Sequence, residues 1–337
     1  MDNILIQQYK LFNDNNLLID YIVYHKIMVY NEIVDPNIII DAPRYNYTDL
    51  EFRGNIRIPY YNNKKVIAIK ININDIYNYI STTSLIPDSE IICGEKIQML
   101  ADIVTGEHSS LRFNPNNLHY SKKMILLDQL NDLTIYKSIF VFTHDLDKFY
   151  FKFKNQLNDK IIITHNSDHE IKYSINAKIH LAQNCLIKGP IPLPIGIENT
   201  QWFDHNIFNK VRRLNISKTK EIYFYFNLQT HPSRQICYDK LKDKLEWNIK
   251  RNKEDYFKEL ASHKYAICPR GNGLDTHRIW ECLYLDVIPI VIETDFINVY
   301  NLPIIVLKDW SNLNLTDSFK NINLNKLTVK YYYDVLK

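Results

Sequence analysis

The sequence predicts an α/β protein with two Rossmann-like halves, and three stretches carry that expectation. Ser138–Thr143 (SIFVFT), the amphipathic run Asp145–Gln156 and Lys160–Thr164 (KIIIT) read as a β-α-β unit, with short apolar strands on either side of a helical period. Ser262–Trp310 reads as strand, glycine loop, helix, strand, turn and strand. Between them, the Pro-Leu-Pro-Ile-Gly run at Pro192–Gly196 and the polar stretch Glu198–Lys210 read as an exit from the first half.

Other elements follow in chain order. Asn37–Asp41 (NIIID) and Lys65–Ile71 (KVIAIKI) are rich in β-branched residues, as strands are, and Arg57–Lys70 fits a hairpin around Asn62-Asn63. Strands at Ile179–Leu181 and Ile191–Pro194 close the first sheet. Glu221–Phe226 (EIYFYF) opens the second; a helix Pro232–Leu245, a strand Leu245–Ile249 and a helix Glu254–Ala261 come next. The strand Lys264–Cys268 ends at Pro269, and Ile288–Glu293 (IPIVIE) is the strand after the glycine loop and its helix. Thr316–Lys337 ends in a helix, with YYYDVL as its apolar part.

Composition excludes several classes. The chain has 337 residues, enough for two cores of ordinary size, and 46% hydrophobic with 23% charged residues rules out global disorder. A net charge of +3 is too small to point to nucleic acid. No segment approaches the roughly 20 apolar residues of a membrane span, and MDNILIQQYKLFNDNN lacks a basic leader followed by an apolar run, so a cytoplasmic protein is expected. Five scattered cysteines, without any C-x-x-C, suggest small buried residues rather than a disulfide framework or a zinc site.

The glycine loop carries the chemistry. Only 7 glycines occur in the chain, and Gly271 and Gly273 stand one residue apart in Arg270-Gly271-Asn272-Gly273. Such a loop lets backbone approach a ligand, and Asp275 and Thr276 are good N-caps for the helix after it. A helix N-terminus with arginines nearby is a ready anion site. Arg278 and Glu281, three apart, share a helix face with the one suited to phosphate and the other to ribose hydroxyls; the alternative is a charged pair on a solvated face, with the glycines serving as a turn. In the loop-and-helix stretch Asn227–Arg234, the residues by themselves read as helix caps at Thr230 and Ser233 with Arg234 on the surface. His144, Asp145, His165, Asn166, Ser167 and Asp168 fall at strand ends and are expected to gather at one lip of the first half. His144-Asp145, His165-x-x-Asp168 and Asp145-Leu-Asp147 have metal-like spacings without a clear partner set, and the competing reading is a general base or a structural network.

CPRGNGLDTHRIWECLYLDVIPIV resembles the C-terminal donor-binding segment of exostosin-type glycosyltransferases. FVFTHDLDKF (Phe140–Phe149), ITHNSDHEI (Ile163–Ile171) and AQNCLIKGPIPLPIGIENTQWF (Ala182–Phe203) resemble other blocks of the same kind of sequence. Together they span Phe140–Trp310, with one departure: Asp286 stands where such proteins often carry glycine. The resemblance implies a GT-B arrangement, two Rossmann-like domains facing across a cleft, with an acceptor domain over 1–205, a nucleotide-sugar domain over 206–315, and a helix in 316–337 that crosses back to the first. It implies a sugar transfer from a nucleotide-diphosphate sugar to a carbohydrate or other hydroxyl acceptor in glycan biosynthesis, inverting and independent of metal. Arg270, Gly271, Asn272, Gly273, Asp275, Thr276, His277, Arg278, Glu281 and Arg234 would then bind the donor. Asp168, then Asp145, then His165 are the candidates for the base. A non-catalytic glycan or nucleotide binder, or another nucleotide-using enzyme on the same fold, are the competing classes.

Overall fold

The structure is a computed structural model that describes residues 60–61, 64–65, 86–112, 124–214, 216–294, 297, 300–315 and 323–337. By internal contacts the chain divides into Met1–Pro87 and Asp88–Lys337. In the first unit β1 (Tyr60–Tyr61) pairs antiparallel with β2 (Lys64–Lys65), and the rest of the hairpin expected over Arg57–Lys70 lies outside the described residues. The strand expected at Asn37–Asp41, and Lys65–Ile71 beyond Lys65, lie outside the described residues.

The second unit holds two all-parallel sheets of Rossmann-like character. The first is ordered β4-β3-β5-β6-β7-β8, with β3 Ile103–Gly106, β4 Met124–Leu126, β5 Ser138–Phe142, β6 Ile161–His165, β7 Ile179–Ala182 and β8 Ile191–Pro192. Both faces are buried, which is why the strands read as continuous apolar runs. Ile139 and Val141 of β5 enter one core with Leu146, Phe149 and Phe153 of the helix Leu146–Phe153 (α3 below). Phe140 and Phe142 enter the opposite core with Ile92, Ile97 and Leu193.

Short helices α1 (Gly94–Gln98) and α2 (His108–Arg112) flank β3, α3 is Leu146–Phe153, and α4 (His205–Arg212) precedes the second sheet. Asp204 caps α4, its side chain accepting from the Asn206 amide. The second sheet runs in chain order: β9 Lys220–Tyr223, β10 His263–Ile267, β11 Ile288–Ile292 and β12 Ile305–Leu307. Its helices are α5 (Pro232–Leu241), α6 (Lys253–Ala261) and α7 (His277–Tyr284). The strand expected at Leu245–Ile249 is absent. Residue Asn248 makes two bonds to Phe224, through its amide and its side chain, and that contact replaces a ladder.

The last helix, α8 (Val329–Val335), lies on the first sheet: Tyr332 is buried in the core that contains Val104, Phe140 and Ile163. One phenol fastens this region together. Tyr284, at the end of α7, accepts from the Ile92 amide at 3.0 Å and donates to the Leu327 carbonyl at 2.7 Å, all out of water. Asp286 takes a left-handed conformation, φ 55°, the region glycine occupies without cost, so an aspartate closes the turn between α7 and β11.

Tyr284→Phe leaves a buried N–H and a buried carbonyl unpaired, and should destabilise the fold by about 1–3 kcal/mol in denaturant unfolding. A loss of a few tenths would mean that both groups find other partners.

Candidate functional site

A cavity of about 280 Å³ opens beside the glycine loop, α6 and the N-terminal turn of α7, and Arg234, Tyr256, Gly271, Gly273, Arg278 and Glu281 are among the residues lining it. Tyr256 is central. Its hydroxyl donates to Glu281 Oε2 at 2.6 Å and accepts from Arg278 Nε at 3.2 Å, so one phenol fixes both charged side chains of α7. Burial pushes that phenol well above its ordinary range, so it keeps the proton it donates. Arg278 also donates to the Tyr225 carbonyl, and its guanidinium lies 5.7 Å and 5.5 Å from the ring centres of Tyr223 and Tyr256. These rings, set edge to face with one another, hold a half-buried cation without neutralising it. The pair is therefore part of a built, partly buried site and not a solvated salt bridge.

Arg234, on α5, approaches from the other side. Its Nε donates to the Arg270 carbonyl and Nη1 to the Asn227 carbonyl and Thr230 Oγ1, while Nη2 takes no acceptor among the described residues. Burial, and then the nearby Arg278, push Arg234 down to about 10. Two like charges held close, both still protonated at neutral pH, favour an anion between them. Thr230 is thus an acceptor for Arg234, and Ser233 is not the cap either: the helix N-cap is His231, whose Nδ1 accepts from the Ser233 amide. Lys253 also lines the cavity but is paired with Glu198 at 2.6 Å.

The remaining donor-loop residues divide. Arg270 is not among the lining residues; it pairs with Glu170 at 3.3 Å and donates to the Asn272 carbonyl. Neither Gly271 nor Gly273 has a positive φ. A Cβ on Gly271 would sit 3.6 Å from Arg234 Nη2, in ordinary contact. On Gly273 it would come 2.7 Å from Asn184 Nδ2. Packing against the first half, more than a ligand's approach, is what requires glycine at 273. Asn272 is exposed at the rim.

Residue type points to Asp275 and Thr276 as caps of α7, and neither side chain caps it. Thr276 is the N-cap residue but makes no side-chain cap bond, and its Oγ1 is buried without a partner. Asp275 Oδ2 instead accepts from the Ile195 amide at 2.7 Å and from Trp280 Nε1 at 2.9 Å, while its own amide donates to Asn184 Oδ1. His277 Nδ1 meets the Gly196 carbonyl at 2.8 Å. Burial pushes Asp275 up from 3.8 to about 7.

A second cavity, about 560 Å³, adjoins the first; Asp168, Ile195 and His277 line both. His144, His165, Asn166, Ser167 and Asp168 all border it, which gathers the strand-end residues of β5 and β6. Among the base candidates, His165 is buried, with Nε2 against the Pro194 carbonyl and Nδ1 against Asn166, and burial pushes it down to about 4. That ring is a neutral strut between two loops. Asp145 is buried and accepts from Ser110 Oγ at 2.5 Å and the Glu107 amide at 2.9 Å. Asp168 is exposed, and no helix follows β6 for it to cap. Asp145 and Asp147 do not converge: Asp147 instead accepts from Tyr173. Among the described residues no group of three or more His, Cys, Asp or Glu is placed to hold a metal, and no helix is long and apolar enough to cross a membrane. All five cysteines are buried and free.

Sequence reasoning missed Tyr256, which lies 22 and 25 residues from the side chains it bonds, and Ser110 with the strand β3 before it. The signal for the latter was short: the apolar Ile103-Val104 followed by Thr105-Gly106.

Asp275 has a folded-state pKa above its unfolded one. Its contribution to stability is therefore complete below about pH 4 and is lost as pH rises to about 7. Asp275→Asn removes that dependence, so unfolding free energy measured against pH should shift in the variant's favour, relative to wild type, between those values. A difference constant with pH would mean the carboxyl titrates normally. No protein-family model matches this chain, and no curated protein does.

Proposed function

We propose that the protein is a glycosyltransferase that takes a nucleotide-diphosphate sugar as donor and a carbohydrate or other hydroxyl compound as acceptor. The observation that supports it best is the convergence of Arg234 and Arg278 on one cavity, with Glu281 held beside them by Tyr256. On this reading the diphosphate lies between the two guanidiniums and against the N-terminal turn of α7, where charge-assisted bonds and the helix dipole act together. Glu281 gives one carboxylate oxygen to Tyr256 and turns the other to the ribose hydroxyls. Arg270, paired with Glu170, steadies the loop and does not touch phosphate. The sugar then points to Asp168, Ile195 and His277, where the second cavity begins and the acceptor enters. Inverting transfer would be a direct displacement in which the acceptor oxygen attacks the anomeric carbon and the diphosphate leaves with the bonding pair. The cations that bind the donor also stabilise that leaving charge.

Calorimetry with a panel of nucleoside diphosphates tests the donor site. The best-bound member should lose about tenfold or more in affinity in Arg234→Ala, because a charge-assisted contact is worth roughly 1.5–3 kcal/mol. Glu281→Gln should weaken the free nucleoside as well, since the ribose contact does not depend on phosphate. Binding of every diphosphate equally in wild type and Arg234→Ala would overturn the reading.

Transfer should also survive excess chelator, because arginines and helix amides carry the leaving charge. Complete loss with chelator, restored by manganese, would assign that charge to a divalent ion instead.

A further inference from the structure

In the first sheet the strand order reverses at β3: β4 lies on one side of it and β5 on the other. In open parallel sheets the crevice at the carboxyl ends of such a pair is where ligands sit. Here that crevice contains an ordered polar chain. Ser110 Oγ, buried at 3% exposure, lies 2.5 Å from Asp145 Oδ2 and 2.7 Å from His144 Nε2. Asp145 Oδ2 also accepts from the Glu107 amide at 2.9 Å. The chain depends on Gly106 at the end of β3: a Cβ there would come 2.7 Å from Asp145 Oδ2 and 3.2 Å from Ser110 Cβ. His144, at the outer end, is exposed and lines the larger cavity.

Proton counting sets the directions. A serine hydroxyl has one proton, and Ser110 gives it to the carboxylate. Toward His144 it can then only accept, so Nε2 must carry the ring proton. The tautomer of a neutral imidazole is set by the bond its other nitrogen makes. Nδ1 is left with its lone pair, and no acceptor or donor within the described residues engages it. A base positioned by a third group is the arrangement that general-base catalysis needs. Asp168 is the competing proton acceptor. It is exposed, and no hydrogen bond to its side chain orients it among the described residues.

We propose that His144 is the general base of the larger cavity, with Ser110 and Asp145 as positioning residues that hold it in the Nε2–H tautomer. This rests on the glycosyl-transfer reading. The acceptor hydroxyl gives its proton to His144 Nδ1 as its oxygen bonds to the anomeric carbon; the bond from that carbon to the diphosphate oxygen breaks, and the pair leaves with the phosphate. The imidazolium that forms is steadied through Ser110 by the Asp145 carboxylate and returns its proton to solvent. The titratable groups about His144 are Asp145 on its own turn, Asp147 on α3, His165 at the end of β6, Asp168, His169, Glu170, Lys172 and Tyr173 from the segment after β6, and His277 on α7.

The test combines a spectrum with turnover. In the full chain labelled with ¹⁵N-histidine, the His144 signals are those among the 11 histidines that vanish in His144→Gln. Neutral His144 should show a protonated Nε2 and a bare Nδ1, and Ser110→Ala should shift it toward a mixture of tautomers. A protonated Nδ1, or a tautomer unmoved by Ser110→Ala, overturns the positioning chain. Release of nucleoside diphosphate is then followed with a panel of nucleotide sugars and a mixed panel of mono- and oligosaccharide acceptors. His144→Gln should lose about 10²-fold or more in turnover and Ser110→Ala about tenfold, with nucleoside diphosphate affinity unchanged in both, and the acid limb of kcat/KM should move in Ser110→Ala. Loss in Asp168→Asn with normal turnover in His144→Gln gives the role to Asp168 and overturns the proposal. If no nucleotide sugar is bound or consumed, the glycosyl-transfer reading fails and the base role with it, whereas the tautomer result stands by itself.

Discussion

The buried carboxyl of Asp275 is the constraint on which the site depends. It ties the Ile195 amide, from the segment leaving the first sheet, to Trp280 on α7 of the second, while its own amide is held by Asn184. Residue 273 must be glycine for that approach, because a side chain there would meet Asn184. The same segment gives the Pro194 carbonyl to His165 and the Gly196 carbonyl to His277. The junction of the two cavities is therefore assembled by bonds from the loop after β8. Burial raises Asp275 to about 7, so near physiological pH the carboxyl stands close to its midpoint and the cost of a buried charge is borne only in part.

The smaller cavity shows how a charged site is kept ready. Arg278 lies beside the rings of Tyr223 and Tyr256 and donates to the Tyr225 carbonyl, and among the described residues no carboxylate pairs with it directly. Glu281 could have done so, but the Tyr256 hydroxyl stands between them, donating a hydrogen bond to the carboxylate and accepting one from Arg278. Arg234 is held by carbonyls and a hydroxyl. Cations fixed by neutral acceptors keep their charge available to an incoming anion and have little to rearrange when it arrives.

Much of the framework is legible in the order of the amino acids. Strands β5, β6, β10 and β11 lie within a residue or so of where the apolar runs put them, because a parallel strand covered on both faces must be apolar throughout. Leu245–Ile249 failed for a related reason. Leu245 and Trp247 pack on the second core, so the stretch has strand-like alternation, yet only Asn248 bonds to the neighbouring chain segment. Burial pattern reports packing and says nothing of which backbone groups find partners. The N-caps failed similarly: the roles of Asp275 and His231 are set by their bonds to Ile195 and Ser233, and residue type alone assigned the first to a cap and overlooked the second.

By itself the sequence determined the alternation of strands and helices, the position of the glycine loop, and the gathering of Arg278 and Glu281 on one helix face, since all of these follow from periods of two to four residues. It also put His144, Asp145, His165 and Asp168 at strand ends. Tertiary structure decided which of them stay accessible: His165 became a buried strut, Asp145 an anchor for Ser110, and His144 and Asp168 remained at the cavity wall. It decided that Arg270 turns to Glu170 while Arg234 turns inward, and that Tyr256 joins the site at all. These outcomes rest on strand order and on contacts across tens of residues, about which local periodicity carries no information.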